Sequence, residues 1–236
     1  MPLRIATWNL KRPSASSKDR NSRIIKALKE IDADILILTE TSSLINPGNE
    51  YTPYCSEPLP ALRDSVAYEA GENRTTIWSK KPAIRRIETS DPFTCVCVSV
   101  ETPLGELAIY GTIIGIFGRE KKTFLPALKS QIIDWGTICD ASNICVAGDF
   151  NITFSDSYYF THEGRDQIAA SFAELKINNL TSDLPENIDH IAISESVFKT
   201  TEHESHVWIY DKTLSDHKGI CVTLKYSDEE RLTRSN

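Results

Sequence analysis

The chain has 236 residues, 40% hydrophobic and 25% charged, a size and balance that suit one large α/β or β-rich domain with a substantial core. Its formal net charge of −7 argues against a protein that grips nucleic acid through a broad basic face, while an enzyme that meets phosphates through a metal ion and a few local cations stays compatible. No stretch approaches the ~20 apolar residues of a membrane span and the first residues lack a long apolar leader, so a cytoplasmic protein is expected. Cys55, Cys95, Cys97, Cys139, Cys145 and Cys221 include no CxxC pair, and several sit in apolar runs; they read as buried free thiols.

Leu3 to Trp8 alternates as a strand and delivers Asn9 to its end. Pro and Ser mark residues 11–17 as a loop. From Asp19 to Ile31, Ile24, Ile25, Leu28 and Ile31 recur at helical spacing, with Arg20, Arg23, Lys26 and Lys29 on the other faces. Ile35 to Leu38 is apolar throughout, as in a strand covered on both faces, and ends in Thr39-Glu40. Residues 42–74 are rich in Pro and Gly and read as loops around a short strand near Ser65 to Tyr68. Strands are predicted at 75–79, 83–88, 95–101 and 107–114, with Thr102-Pro103-Leu104-Gly105 as a hairpin turn.

A loop carrying Arg119, Lys121 and Lys122 leads into a helix reaching about Cys139. Ile144 to Asp149 is an apolar strand closing on Gly148-Asp149-Phe150-Asn151, which directs Phe150 to the core and places Asp149 and Asn151 together. A helix at 164–175 and strands at 188–193 and 219–226 follow. His203 and His206 read as part of a solvated loop, His190 as a surface residue and Trp78 as packing. Residues 1–226 form one domain in this reading, followed by a charged tail at 227–236.

Strand ends therefore carry Asn9, Glu40, Asp149 with Asn151, Asp189, and Asp216 with His217. If a folded sheet gathers them on one rim, they present the hard oxygen donors that Mg²⁺ or Mn²⁺ prefers. With Thr7-Trp8-Asn9, Leu38-Thr39-Glu40, Thr76-Ile77-Trp78-Ser79, Gly148-Asp149-Phe150-Asn151, Ile188-Asp189-His190-Ile191 and Ser215-Asp216-His217 in this order, the chain resembles the endonuclease/exonuclease/phosphatase superfamily.

That resemblance implies an α+β fold of the deoxyribonuclease-I-like type, a sandwich of two mixed β-sheets flanked by helices in four layers, α/β/β/α. It implies Glu40 as the principal ligand of Mg²⁺, or of Mn²⁺ in its place, with Asn9 and Asp216 as further metal ligands. Asp149 would orient or deprotonate the attacking water, Asn151 would contact the phosphate, and His217 paired with Asp189 would donate to the phosphoryl oxygens. The family usually has a His or Tyr on the strand before the basic loop; that position falls at Thr112 or Ile113. Either Thr112 or Tyr110 takes over this substrate contact, or the contact is absent. Arg119, Lys121 and Lys122, with Lys11 and Arg12, form a candidate basic rim for substrate.

The function implied is a metal-dependent phosphodiester hydrolase acting on nucleic acid, DNA or RNA. A phosphatase or phosphodiesterase for a small-molecule or lipid-headgroup ester is the alternative, the lipid version resting on the apolar run 113–117, and a catalytically silent binding module is a third reading. No obligate protein partner is evident in the sequence.

Overall fold

The structure, a computed structural model, describes residues 1–116 and 121–227, Lys121 by its backbone alone. Phe117, Gly118, Arg119, the side chain of Lys121 and the tail beyond Ser227 lie outside the described residues.

Two sheets carry the fold. In the first, β1 (Leu3–Asn9) pairs in parallel with β2 (Ile35–Ser42) and antiparallel with β14 (Gly219–Tyr226). β2 continues to β6 (Glu72–Ser79), and β3 (Thr52–Cys55) and β13 (Thr201–Ile209) close the two edges. The second sheet runs β11 (Ile177–Asn179), β12 (Asp189–Ser194), β10 (Ile144–Asp149), β9 (Gly105–Ile113), β8 (Val96–Thr102) and β7 (Ala83–Ile87), with β9 and β10 parallel and the other pairs antiparallel.

Strands buried on both faces explain the unbroken apolar runs. Ile5, Ile37, Ile77, Val98, Ile109, Ala147, Ile191 and Val222 meet between the sheets. On the outer face of the first sheet, α1 (Lys18–Ile31) packs Ile24, Leu28 and Ile31 against Trp8, Leu36 and Leu38; it ends at Asp32, whose left-handed backbone (φ 48°) turns the chain into β2. On the outer face of the second, α2 (Lys121–Cys139) and α3 (His162–Glu174) supply Phe124, Trp135, Ile168 and Phe172. The layers are thus helix, sheet, sheet, helix, as expected. All six cysteines are free. No helix among the described residues is long and apolar enough to cross a membrane.

Two expectations need correction. Residues 201–206 are not a loop: they belong to β13, an edge strand whose register with β14 runs from Thr201 opposite Tyr226 to Ile209 opposite Gly219. Such an edge strand, largely solvated, lacks the apolar alternation by which strands are read. Residues 42–74 hold more than one short strand, since β3 adds to β6 and a small hairpin, β4 (Leu62–Arg63) with β5 (Val66–Ala67), stands apart. The short α4 (Glu195–Thr200) likewise had no sequence signal.

Candidate active site

The strand ends converge. β1 and β2 run in parallel with Asn9 beside Thr39, and β10 ends with Asp149 opposite Asp189 of β12 and beside Ile113 of β9. A hydrogen bond from Asn9 Nδ2 to Asp149 Oδ2, 3.1 Å, ties the first sheet to the second at this rim. The segment before β14 closes over it: Ser215 Oγ donates to the Asn9 carbonyl at 2.7 Å, and Trp8 Nε1 donates to the His217 carbonyl at 3.2 Å. Arg20 of α1 clamps the same corner, donating through Nε to Leu214 O at 2.8 Å and through a second nitrogen to the Leu10 carbonyl.

Glu40 does not end its strand but interrupts it. Pairing with β6 passes from Thr39–Thr75 to Thr41–Asn73 without a change of register, and Glu40, at the unpaired position between them, takes a left-handed backbone conformation (φ 44°). Burial and the nearby Asp149 raise its carboxyl pKa, while Asn9 opposes the shift.

Asp149 is almost fully buried. Its Oδ1 accepts the Asn151 backbone N–H at 2.9 Å, in a turn that places Asn151 in a left-handed conformation (φ 53°) and sends Phe150 into the core. Burial pushes the Asp149 carboxyl up to about 6, against the lowering influence of His217.

His217 Nδ1 lies 2.6 Å from Asp189 Oδ2, the pairing implied by the resemblance. Burial disfavours its charge, but Asp189, Asp149 and Glu40 outweigh burial and push the imidazole up to about 10. Both ring protons are then present, one held by Asp189 and the Nε2 proton left to donate. Asp189 is itself held by its strand, with Asn187 Nδ2 donating to its carbonyl; its Oδ1 has no hydrogen-bond partner among the described residues.

Other expected site residues are placed differently. Asp216 is more than half exposed and pairs with Lys11 Nζ at 3.0 Å; burial would raise its pKa, but that bond and His217 hold it below the usual carboxylate range. Arg12 pairs with Glu72 at 2.9 Å and stacks over Tyr68, 4.8 Å from the ring centre, so the first-loop cations are spoken for by carboxylates. Asn151 spends its amide hydrogens on the carbonyls of Ile114 and Gly115, each at 3.2 Å, and so fixes the end of β9. Tyr110 and Thr112 do not reach the rim. Both point to the helical side of the sheet, where Tyr110 Oη donates to Asp134 at 2.8 Å and Thr112 Oγ1 to Gln131 at 2.9 Å. The alternation of β9 therefore gives the position beside Asp149 to Ile113, which lines a cavity of about 150 Å³ with Glu40, Arg12, Arg74 and Ile116. Among the described residues, neither Tyr110 nor Thr112 supplies a polar group at this place. Of the apolar run 113–117, Ile113 and Ile114 are buried at the end of β9, Ile116 is half-buried, and Phe117 lies outside the described residues.

Ser215, Arg20 and Gln131 carry no local signal of their roles, because their partners lie far away in the chain. His190 is a second correction. It is wholly buried, with Nε2 2.9 Å from Ile152 O and Nδ1 3.0 Å from Thr181 Oγ1, and burial pushes its pKa down to about 4. The unfolded chain protonates this residue near its ordinary pKa and the folded chain does not, so its contribution to stability is full above about pH 6.5 and is lost as pH falls toward 4. Histidine NMR should show one ring that stays neutral down to about pH 5; titration of every ring near pH 6.5 would contradict the burial.

Among solved structures, the chain is similar to an endonuclease/exonuclease/phosphatase from Beutenbergia cavernae (17% identity, covering 96% of this chain and 72% of that one, TM-score 0.66). It is also similar to the endonuclease domain of TRAS1, a telomere-specific non-LTR retrotransposon (17% identity, 96% and 99% covered, TM-score 0.64). A third is an AP endonuclease from Archaeoglobus fulgidus (15% identity, 95% and 99% covered, TM-score 0.67). Comparison with curated proteins gave no significant match. These structures share the deoxyribonuclease-I-like sandwich seen here. Residues 6–217, from the strand that delivers Asn9 to His217 itself, match the model of the Endonuclease/Exonuclease/phosphatase family, and the chain belongs to that family.

Proposed function

We propose that the chain is a divalent-metal-dependent phosphodiesterase that hydrolyses nucleic acid by in-line attack of an activated water. One observation carries the reading: Glu40, Asp149 and Asp189 converge from three strands with His217 as their buried counter-charge. Three carboxylates with one imidazolium leave an excess of negative charge in a poorly solvated place, which a divalent cation would neutralise. The donor set fits Mg²⁺ or Mn²⁺, being hard oxygen. Asp149, Asp189 and His217 also lie close enough to group around an ion, but a protonated His217 cannot serve as a ligand. Glu40 with Asn9 would hold the metal, and Asp216 would join them on releasing Lys11.

When bound, the metal supplies neutralising charge to the phosphate oxygens. Asp149, fixed by Asn9 and the Asn151 N–H, accepts the proton of the attacking water, for which a pKa near neutrality suits it. His217, held by Asp189, donates from Nε2 to the phosphoryl oxygens as charge builds there. Ile113 beside Asp149 adds no polar contact, and the small cavity it lines with Ile116, Arg12 and Arg74 favours a second reading, hydrolysis of a small phosphate ester.

The test is product release from single-stranded DNA, duplex DNA and RNA, with Mg²⁺, with Mn²⁺ and with chelator. Cleavage that chelator abolishes and metal restores is expected, and Glu40→Gln should raise the Mg²⁺ concentration needed for half-maximal rate by at least about tenfold. An identical Mg²⁺ titration in the variant would remove Glu40 from the ligand set. Turnover of small phosphate esters without any polymer cleavage would select the second reading.

A further inference from the structure

Only two Phe, Tyr or Trp side chains among the described residues are exposed, Tyr158 at 58% and Tyr210 at 45%. They come from different segments, the loop after β10 and the segment after β13, yet both line one cleft of about 260 Å³. Its remaining wall includes Asn151, Asp189 and His217, so the cleft opens onto the candidate catalytic centre. Lys218 and Lys212 set their ammonium groups 5.2 and 5.5 Å from the Tyr210 ring centre, and Lys218 is anchored by donating to Pro185 O at 2.8 Å.

Rings left this exposed bury little area in the fold and are poor candidates for its stabilisation. Beside a phosphate-processing centre they offer π-faces, and the lysines offer charge to a neighbouring phosphate. A base within a duplex has both faces covered by its neighbours and cannot use such a platform; an unpaired base can.

We propose that this cleft is a nucleoside subsite, in which Tyr158 and Tyr210 stack on an unpaired base adjoining the scissile phosphate and Lys218 and Lys212 face the backbone beside it. The inference rests on the phosphodiesterase reading and narrows its substrate to single-stranded or locally unpaired nucleic acid.

Binding tests it without turnover. In full-length Asp149→Asn protein with Mg²⁺, fluorescence anisotropy compares a labelled thymidine oligonucleotide with one of equal length built from abasic tetrahydrofuran units. The base-bearing strand should bind at least about tenfold more tightly, because base–aromatic stacking contributes that much per base. Adding Tyr158→Ala and Tyr210→Ala together should bring the ratio near one, whereas Tyr158→Phe with Tyr210→Phe, which keep the π-faces, should preserve it. A ratio near one before these changes, or a ratio the alanines leave intact, would overturn the subsite. Wild-type cleavage of single strands with an alanine-insensitive ratio rejects the subsite alone. A tyrosine-dependent ratio without any wild-type cleavage supports the subsite and rejects the hydrolase reading.

Discussion

Asp149→Asn should lower kcat by about 10²- to 10⁴-fold, the range a positioned general base contributes, while the protein stays folded. The substitution preserves shape and keeps an oxygen for the Asn151 N–H, so the turn after β10 has no reason to open, although the bond from Asn9 Nδ2 to the other carboxylate oxygen is lost. It also removes one negative charge from beside Asp189 and Glu40, where burial already disfavours ionisation. Loss of activity through misfolding would thus be the wrong explanation. Circular dichroism melts, run beside kinetics on the fastest wild-type substrate, separate the two. A kcat within about threefold of wild type would take Asp149 out of the proton-transfer role.

Gly148→Ala should be the most damaging change to the fold near the site. Gly148 has φ 136°, and an added Cβ would lie 2.0 Å from the Thr112 carbonyl oxygen. That oxygen belongs to the backbone of β9, paired in register with β10, so it cannot retreat as a flexible side chain would. A loss of about 4 kcal/mol or more is expected, placing the change among the exceptional point substitutions. For a domain of this size that corresponds to a fall in Tm of roughly 8–16 °C. Gly105→Ala is the control: its φ of 97° is also strained, but nothing lies within 4 Å, so the backbone penalty acts alone, at about 1 kcal/mol. Equal losses in the two variants would show that the clash with β9 is relieved.

The chemistry-bearing residues were legible because they sit in short contiguous motifs. Asn9, Glu40 and Asp149 follow apolar runs, Asp189 and His217 precede them, and runs buried on both faces leave a strong pattern. Tyr110 and Thr112 were misplaced by a matter of register. A strand buried on both faces has no polar alternation to say which side chains face the rim, and only its pairing with β10 puts Ile113 there. β13 failed for the opposite reason, since a solvated edge strand resembles a polar loop.

By itself the sequence determined strands in series, the strand-end acids and histidine, and the order of the motifs, and the family resemblance carried by those motifs implied the four-layer class. The strands follow from local propensity and from which residues can be buried. Only the tertiary structure decided which groups meet: the left-handed turn of the backbone at Glu40 within β2, the Asp216–Lys11 pair, the burial of His190 and the joining of Tyr158 to Tyr210 across one cleft. Each depends on contacts between segments distant in the chain, which carry no trace in local periodicity.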